Sequence, residues 1–202
     1  TGYKEAMPDP VRTAVGNFFS NLDDVLVLLN DLLQFKLDQA ASDFSRLIWN
    51  TTVGSAGLID VATPMDLTKH NEDFGQTLGY WGVDNGPYLV LPLLGPSTLR
   101  DAVGSAVDSQ FDPVVQHTPV PERNSAIAVH SVDTRARLLD AEEILDEAAL
   151  DRYVFLRDAY LQRRRGLVYD GNPPKKNGED DFLFDDEIES EQSPGAEPAP
   201  KK

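Results

Sequence analysis

Residues 73–96 read DFGQTLGYWGVDNGPYLVLPLLGP, with glycine at 75, 79, 82, 86 and 95 and proline at 87, 92 and 96. Proline removes an amide donor and glycine frees the backbone, so no long regular helix persists through that density of breakers. The same character extends over about 58–125, through Pro64, Gly104, Pro113, Pro119 and Pro121. Short helices, loops and one short hairpin around Asp84-Asn85-Gly86 are expected, because Asn-Gly is a strong turn pair. Yet the stretch is apolar: Phe74, Leu78, Tyr80, Trp81 and Val83, then the run Tyr88–Leu94. Loops rarely are, since a buried backbone needs a partner for every amide. Two readings follow. Either these loops pack onto an ordinary core, or a glycine-hinged apolar segment lines a path for a greasy ligand.

Outward from this centre the chain turns helical. After Pro8-Asp9-Pro10, a helix-entry signal, Val11, Ala14, Val15, Phe18, Phe19 and Leu22 mark one face at i, i+3, i+4, i+7 spacing. From Val25 to Leu33 apolar residues nearly encircle the helix. A helix apolar on most sides must be buried or face lipid. A second helix is expected with Asp38 as N-cap, with Ala41, Phe44, Leu47 and Ile48 as its apolar stripe and Gly54-Ser55-Ala56-Gly57 as its end. Helix returns near Ser131. The last one carries Tyr153, Val154, Leu156, Tyr160 and Leu161 on its apolar face and closes at Arg163-Arg164-Arg165-Gly166, where cations oppose the negative helix end.

The 202 residues carry 18 Lys and Arg against 34 Asp and Glu, a formal charge of −16. Such a chain repels phosphate backbones, so nucleic acid is an unsuitable partner. Composition shifts at Asp170: residues 170–202 hold ten acids against four lysines, a net −6, with Pro173-Pro174, Pro194, Pro198 and Pro200. Too little apolar surface is present there to offset the entropy of ordering, and a disordered acidic tail over 170–202 is expected beyond a folded domain at 1–169. Its Phe182-Leu183-Phe184 island reads as an incidental cluster or a docking peptide. No apolar run approaches the ~20 residues that span a bilayer.

The chemistry-bearing residues form no catalytic constellation. There is no cysteine, which removes thiolate metal sites and thiol nucleophiles. His70, His117 and His130 lack ligand spacing. His70-Asn71-Glu72-Asp73 reads as a solvated loop. Gly54-Ser55-Ala56-Gly57 lacks the residue between serine and second glycine that a nucleophile elbow needs, and Asp73-Phe74-Gly75 stands without the other kinase elements. Neither an enzyme nor a cofactor is expected.

Read as a string, Asp73-Phe74-Gly75-Gln76-Thr77-Leu78-Gly79, Gly86-Pro87-Tyr88 and Leu91-Pro92-Leu93-Leu94-Gly95-Pro96-Ser97-Thr98-Leu99-Arg100-Asp101 resemble the MlaA (VacJ) family of outer-membrane phospholipid-transport lipoproteins. Phe18-Phe19-Ser20-Asn21-Leu22 and Asn50-Thr51-Thr52 extend the likeness upstream. Asp133-Thr134-Arg135-Ala136, Asp151-Arg152-Tyr153 and Arg157-Asp158-Ala159-Tyr160-Leu161-Gln162-Arg163 extend it downstream, so that it spans residues 3–169.

The resemblance implies a mainly α fold: a compact, ring-like helical domain with an irregular Gly/Pro-rich apolar middle. It implies location at the periplasmic face of the outer membrane, through a lipid anchor and a first helix that precede Tyr3. It implies passage of misplaced outer-leaflet phospholipid inward to a soluble periplasmic carrier that feeds an inner-membrane ABC transporter. A trimeric porin is an implied partner. The channel and gating segment is then expected at Phe74, Leu78, Trp81, Gly82, Gly86, Pro87, Tyr88, Leu89, Leu91, Pro92, Leu93, Leu94 and Gly95. A porin-binding periplasmic adaptor that handles no lipid is the alternative.

Overall fold

The computed structural model describes residues 7–92, 95–116, 119–148 and 151–174, with the backbone alone for 137–148. Helix α1 (Asp9–Leu33) starts after Pro8 with Pro10 in its first turn, where a missing amide costs nothing. At 1.5 Å per residue its 25 residues span about 37 Å. The chain reverses at Phe35, which holds φ of 59° without glycine, and the Lys36 amide bonds Asp31 O at 3.0 Å. Helix α2 (Leu37–Thr52) then packs back along α1. Lys36, not Asp38, is its N-cap residue, and Asp38 lies in the first turn. As expected, α2 ends ahead of Gly54–Gly57: the Gly54 amide caps Trp49 O at 3.1 Å and the Gly57 amide caps Asn50 O at 2.8 Å.

The breaker-rich centre holds more regular structure than its composition predicts. A 3-10 turn (Thr63–Met65) leads by a loop to α3 (Phe74–Tyr80). Strands β1 (Tyr88–Leu91) and β2 (Gly95–Thr98) form an antiparallel pair in which Tyr88 faces Thr98 and Leu91 faces Gly95. Asn85-Gly86 thus lies in the loop before the hairpin, not between its strands. There the Arg100 amide bonds Asn85 O at 3.2 Å and the Leu99 amide bonds Pro87 O at 3.1 Å, which holds the loop against the next helix.

That helix, α4 (Leu99–Phe111), runs unbroken through Gly104, capped by Thr98, whose side chain accepts the Asp101 amide at 3.2 Å. Short α5 (Pro113–Gln116) is followed by α6 (Val120–Ala148). Helix therefore resumes eleven residues before Ser131, with Pro121 tolerated in the first turn. Asp151 caps α7 (Arg152–Val168), accepting the Tyr153 and Val154 amides at 2.9 and 3.1 Å. Gly166 lies inside α7 rather than ending it. From Lys175 the expected acidic tail lies outside the described residues, as do His117 and the side chains of Leu138, Leu139, Ile144 and Leu145.

The packing is inverted. Among the described residues the buried apolar set is Phe19, Val27, Ala40, Ala62, Val114, Ala136 and Val168, three of them alanines. Seventeen polar or charged residues are buried, among them Asp24, Asp31, Asp43, Arg46, Gln76, Arg100, Asp101 and Arg164. On α1, Asn21, Asp24, Val27, Asp31 and Gln34 recur every three or four residues along the buried face, while Leu29, Leu32 and Leu33 face outward. On α2 the buried face is Ala40, Asp43, Arg46 and Asn50. Three members of the expected apolar stripe, Ala41, Phe44 and Ile48, are exposed instead, Phe44 to 51%. Periodicity locates two faces of a helix; it does not say which is out.

Candidate functional site

Three polar clusters fill the interior. In the first, the Asn30 amide reaches Asp108 at 3.3 Å, and Thr77 Oγ1 donates to Asn30 Oδ1 at 2.7 Å. Gln34 Nε2 donates to Thr77 at 3.1 Å and to Glu72 at 2.8 Å. Lys36 Nζ then bridges Glu72 at 3.0 Å and Asp170 at 2.7 Å, tying the end of α1 to the end of α7. The 70–73 segment is therefore not a solvated loop: Glu72 is buried and His70 Nδ1 lies 2.6 Å from Asp43 Oδ2. Burial raises the Glu72 pKa against the opposing pull of Gln34 and Lys36.

The second cluster joins three helices. Arg164 of α7 donates to both oxygens of Asp73, the α3 N-cap, at 2.6 and 2.7 Å, and to Asp101 of α4 at 2.7 Å. Tyr160 donates to the far oxygen of Asp101 at 2.8 Å, and Arg100 Nε and Nη2 reach the near one at 3.2 and 3.1 Å. Burial would lift the Asp73 and Asp101 pKa values, but the bonds and charge of Arg164 prevail and hold both below the usual carboxylate range. Arg164 is thus a buried crosslink rather than a complement to the helix end. In the third cluster Arg46 donates to Leu67 O at 2.6 Å and pairs with Asp60 at 3.3 Å. Burial of Asp60 is outweighed by Thr63 and Arg46, which bring its pKa down to about 2.

Asp31 stands apart. It is fully buried, and neither carboxyl oxygen receives a hydrogen bond from a donor among the described residues, while the carboxyl of Asp43 lies beside it. Burial, then the neighbouring Asp43 and Glu72, push its pKa up to about 8. The folded state therefore holds a proton between about pH 4 and 8 that the unfolded chain releases. Stability should fall as pH rises through that window, by at most ~1.4 kcal/mol per unit. Asp31→Asn removes this term, so thermal denaturation at pH 8 should show the variant melting above the parent, with the gap closing towards pH 4. A constant gap would show that Asp31 is not the group that titrates.

The expected site residues divide among three surroundings. Phe74, Leu78 and Trp81 lie on or beside α3, with Phe74 and Trp81 rings edge to face at 6.2 Å; Trp81 Nε1 bonds Leu33 O at 3.2 Å at the end of α1. Gly82 and Gly86 hold positive φ of 91° and 67° in the loop before the hairpin. Tyr88 packs edge to face on Tyr153 and Tyr160 of α7 at 5.7 and 6.2 Å. Leu89 and Leu91 are half-buried in β1, Pro92 opens the turn, and Gly95 begins β2 with φ of 82°. Leu93 and Leu94 lie outside the described residues.

Of this set, Gly82 reaches a cavity of about 820 Å³ between α7 and residues 79–85, which are the end of α3 and the loop after it. Arg100, Leu161, Gln162, Arg165 and Val168 line its other side. Composition gave no sign of these residues, because their meeting depends on how α7 packs against α3. A smaller cavity of about 230 Å³, walled by Asp73, Asp108 and Arg164, opens on the interior polar clusters. Among the described residues no helix is long and apolar enough to cross a membrane, and no group of three or more His, Asp or Glu could hold a metal ion.

Residues 1–167 match the MlaA lipoprotein family. The intermembrane phospholipid transport system lipoprotein MlaA of Escherichia coli K12 is 35% identical over 195 residues, covering 94% of this chain and 77% of that protein. Its counterpart in Haemophilus influenzae is 34% identical over 187 residues, covering 90% and 74%. A solved structure, from work on the structural basis for maintenance of bacterial outer membrane lipid asymmetry, superposes with a TM-score of 0.70 at 33% identity and covers 85% of each chain.

Proposed function

The chain belongs to the MlaA lipoprotein family, and from that premise we propose that it withdraws mislocalised phospholipid from the outer leaflet of the outer membrane and passes it towards the cell interior. It is a non-enzymatic phospholipid-handling protein of the outer membrane, facing the periplasm. The observation that carries the reading is the inverted packing. Phe35 is 80% exposed and Leu37 65%, while Asp24, Asp31, Asp43 and Arg46 are enclosed. In water that arrangement leaves large apolar side chains facing solvent, which is unfavourable. Against acyl chains it is the favourable one. Each methylene kept from water is worth about 0.8 kcal/mol, so a two-chain lipid needs such a sleeve to move.

In this reading the segment from Gly82 to Gly95 is the gate, and the aliphatic residues of Tyr88–Leu94 meet the acyl chains. A trimeric porin positions the protein, and a soluble periplasmic carrier receives the lipid for an inner-membrane ABC transporter. The folded transport domain is residues 1–169, with 170–202 as an acidic tail. Positive φ at both loop glycines supports hinges there.

The gate has a direct test. A Cβ at Gly86 would stand 3.2 Å from Leu99 Cβ, close to the spacing a disulfide needs, and the chain has no other cysteine. Gly86→Cys/Leu99→Cys should pin the loop to α4. Phospholipid transfer from proteoliposomes to a soluble acceptor should be lost on oxidation and return on reduction. Full transfer by the oxidised protein rules out the gate. Native mass spectrometry from a mild detergent tests the wider reading: co-purified phospholipid is expected, and a lipid-free protein bound to porin alone would favour an adaptor.

A further inference from the structure

We propose that the 820 Å³ cavity between residues 79–85 and α7 receives a zwitterionic phosphodiester headgroup, its phosphate on Arg165 and Arg100 and its ammonium on Asp84 and Asp158. The inference rests on the transport reading and extends it to the headgroup. The volume lies within the range of small-molecule sites.

The cations are disposed for an anion. Arg165 makes no ion pair among the described residues; its guanidinium reaches only the backbone oxygen of Pro174. Arg100 spends Nε and Nη2 on Asp101 and one Nη1 bond on Val83 O at 3.3 Å, which leaves a second N–H on Nη1. Gly79 makes room for it: a Cβ there would come within 2.6 Å of Nη1 and 2.9 Å of Val168 Cγ2. Guanidinium groups are the strongest side-chain partners of a phosphodiester.

The anions set the second half of the specificity. Asp84 has no ion-pair partner among the described residues, and Asp158 pairs only with Arg157 beside it, at 2.9 Å and largely in solvent. A headgroup that ends in an ammonium satisfies both signs of charge. One that ends in glycerol leaves the two carboxylates without a counter-charge. Discrimination against the wrong ligand by an unsatisfied charge is the usual route to selectivity. Val83, Leu161 and Val168 continue the same wall and offer apolar contact where the acyl chains begin.

The test is competition on the full chain in a mild detergent, with equimolar dioleoyl phosphatidylethanolamine and dioleoyl phosphatidylglycerol read by native mass spectrometry. The parent should carry the ethanolamine lipid in about three- to fivefold excess, the yield of partly exposed charge pairs. Asp84→Asn/Asp158→Asn should erase the preference while total lipid is retained. Arg165→Gln should lower occupancy by both lipids about tenfold, and Arg165→Lys should restore part of it. Asp84 and Asp158 are exposed and Arg165 is half-buried; circular dichroism would confirm the folded state of each variant. Lipid bound without preference, or a preference unchanged in the aspartate variant, overturns the headgroup assignment alone. A parent that binds neither lipid overturns the transport reading with it.

Discussion

Arg164→Met should lower the free energy of unfolding by about 3–5 kcal/mol, the cost of removing one partner from a buried ion pair. The side chain closes a junction of α3, α4 and α7 through three bonds of 2.6–2.7 Å. Methionine preserves the length and loses the charge. Asp101, 6% exposed in its side chain, is then left without its chief counter-charge; Asp73, 40% exposed, can turn to solvent. Most of the loss is therefore expected from Asp101. The sign with pH is separately checkable. Both carboxylates have depressed pKa values in the folded protein, so their contribution is present above about pH 4 and is lost as the solution is acidified through the folded values. The parent should lose stability over that range, and the Met variant should lose less. Denaturation followed by far-ultraviolet circular dichroism at pH 7 and pH 3 gives both numbers. A loss below about 1 kcal/mol at pH 7 would show that the three helices are held by something else.

Gly104→Ala should destabilise by about 2 kcal/mol or more, although alanine is the better helix former by about 1 kcal/mol. The conflict is steric. A Cβ at Gly104 would lie 2.4 Å from the Gly75 amide nitrogen and 2.7 Å from its Cα. Backbone cannot rotate away as a side chain can, so α3 and α4 must separate, which strains the Phe74 amide bond to Asp108 (2.9 Å) and the Arg164 junction behind Gly75. Overpacking of side chains costs about 1–3 kcal/mol; a backbone clash belongs at or above the top of that range. Gly166→Ala is the control. It lies in α7, with open space where its Cβ would be, so the helix term should act alone and raise stability by up to about 1 kcal/mol. Equal effects at the two positions would mean that the α3–α4 crossing is looser than described.

Helical spacing in the sequence located α1 and α2 to within a few residues, because these are long amphipathic segments with proline at the start of one and glycine after the other; α7 was placed by its Tyr153–Leu161 run, though Gly166 does not end it. The same reading hid α4, since Gly104 reads as a breaker when it is a packing surface. The hairpin was assigned to Asn85-Gly86 by its local turn preference, but the amides of Leu99 and Arg100 capture that loop. Sidedness was the larger loss. An apolar stripe and a polar stripe fit either orientation, and the default places apolar inward. The contrary signal lay in the polar residues themselves: Asn21, Asp24, Asp31 and Gln34, then Asp43, Arg46 and Asn50, repeat at helical spacing on two successive helices. Two solvated surfaces do not require that regularity, whereas a shared polar seam does. Arg100, Arg164 and Arg165 could not be sorted by composition, because only the packing of α7 against α3 decides which is enclosed.

The inversion also fixes what light can report. The protein has two tryptophans, and both lie on the outer apolar surface, Trp49 at 41% and Trp81 at 52% exposure. In most proteins indole emission follows the opening of a dry core. Here the fluorophores already face the medium, so their emission colour follows whether the surroundings are lipid, detergent or water. Brominated acyl chains, which quench indole on contact, would read how deeply the outer face is immersed.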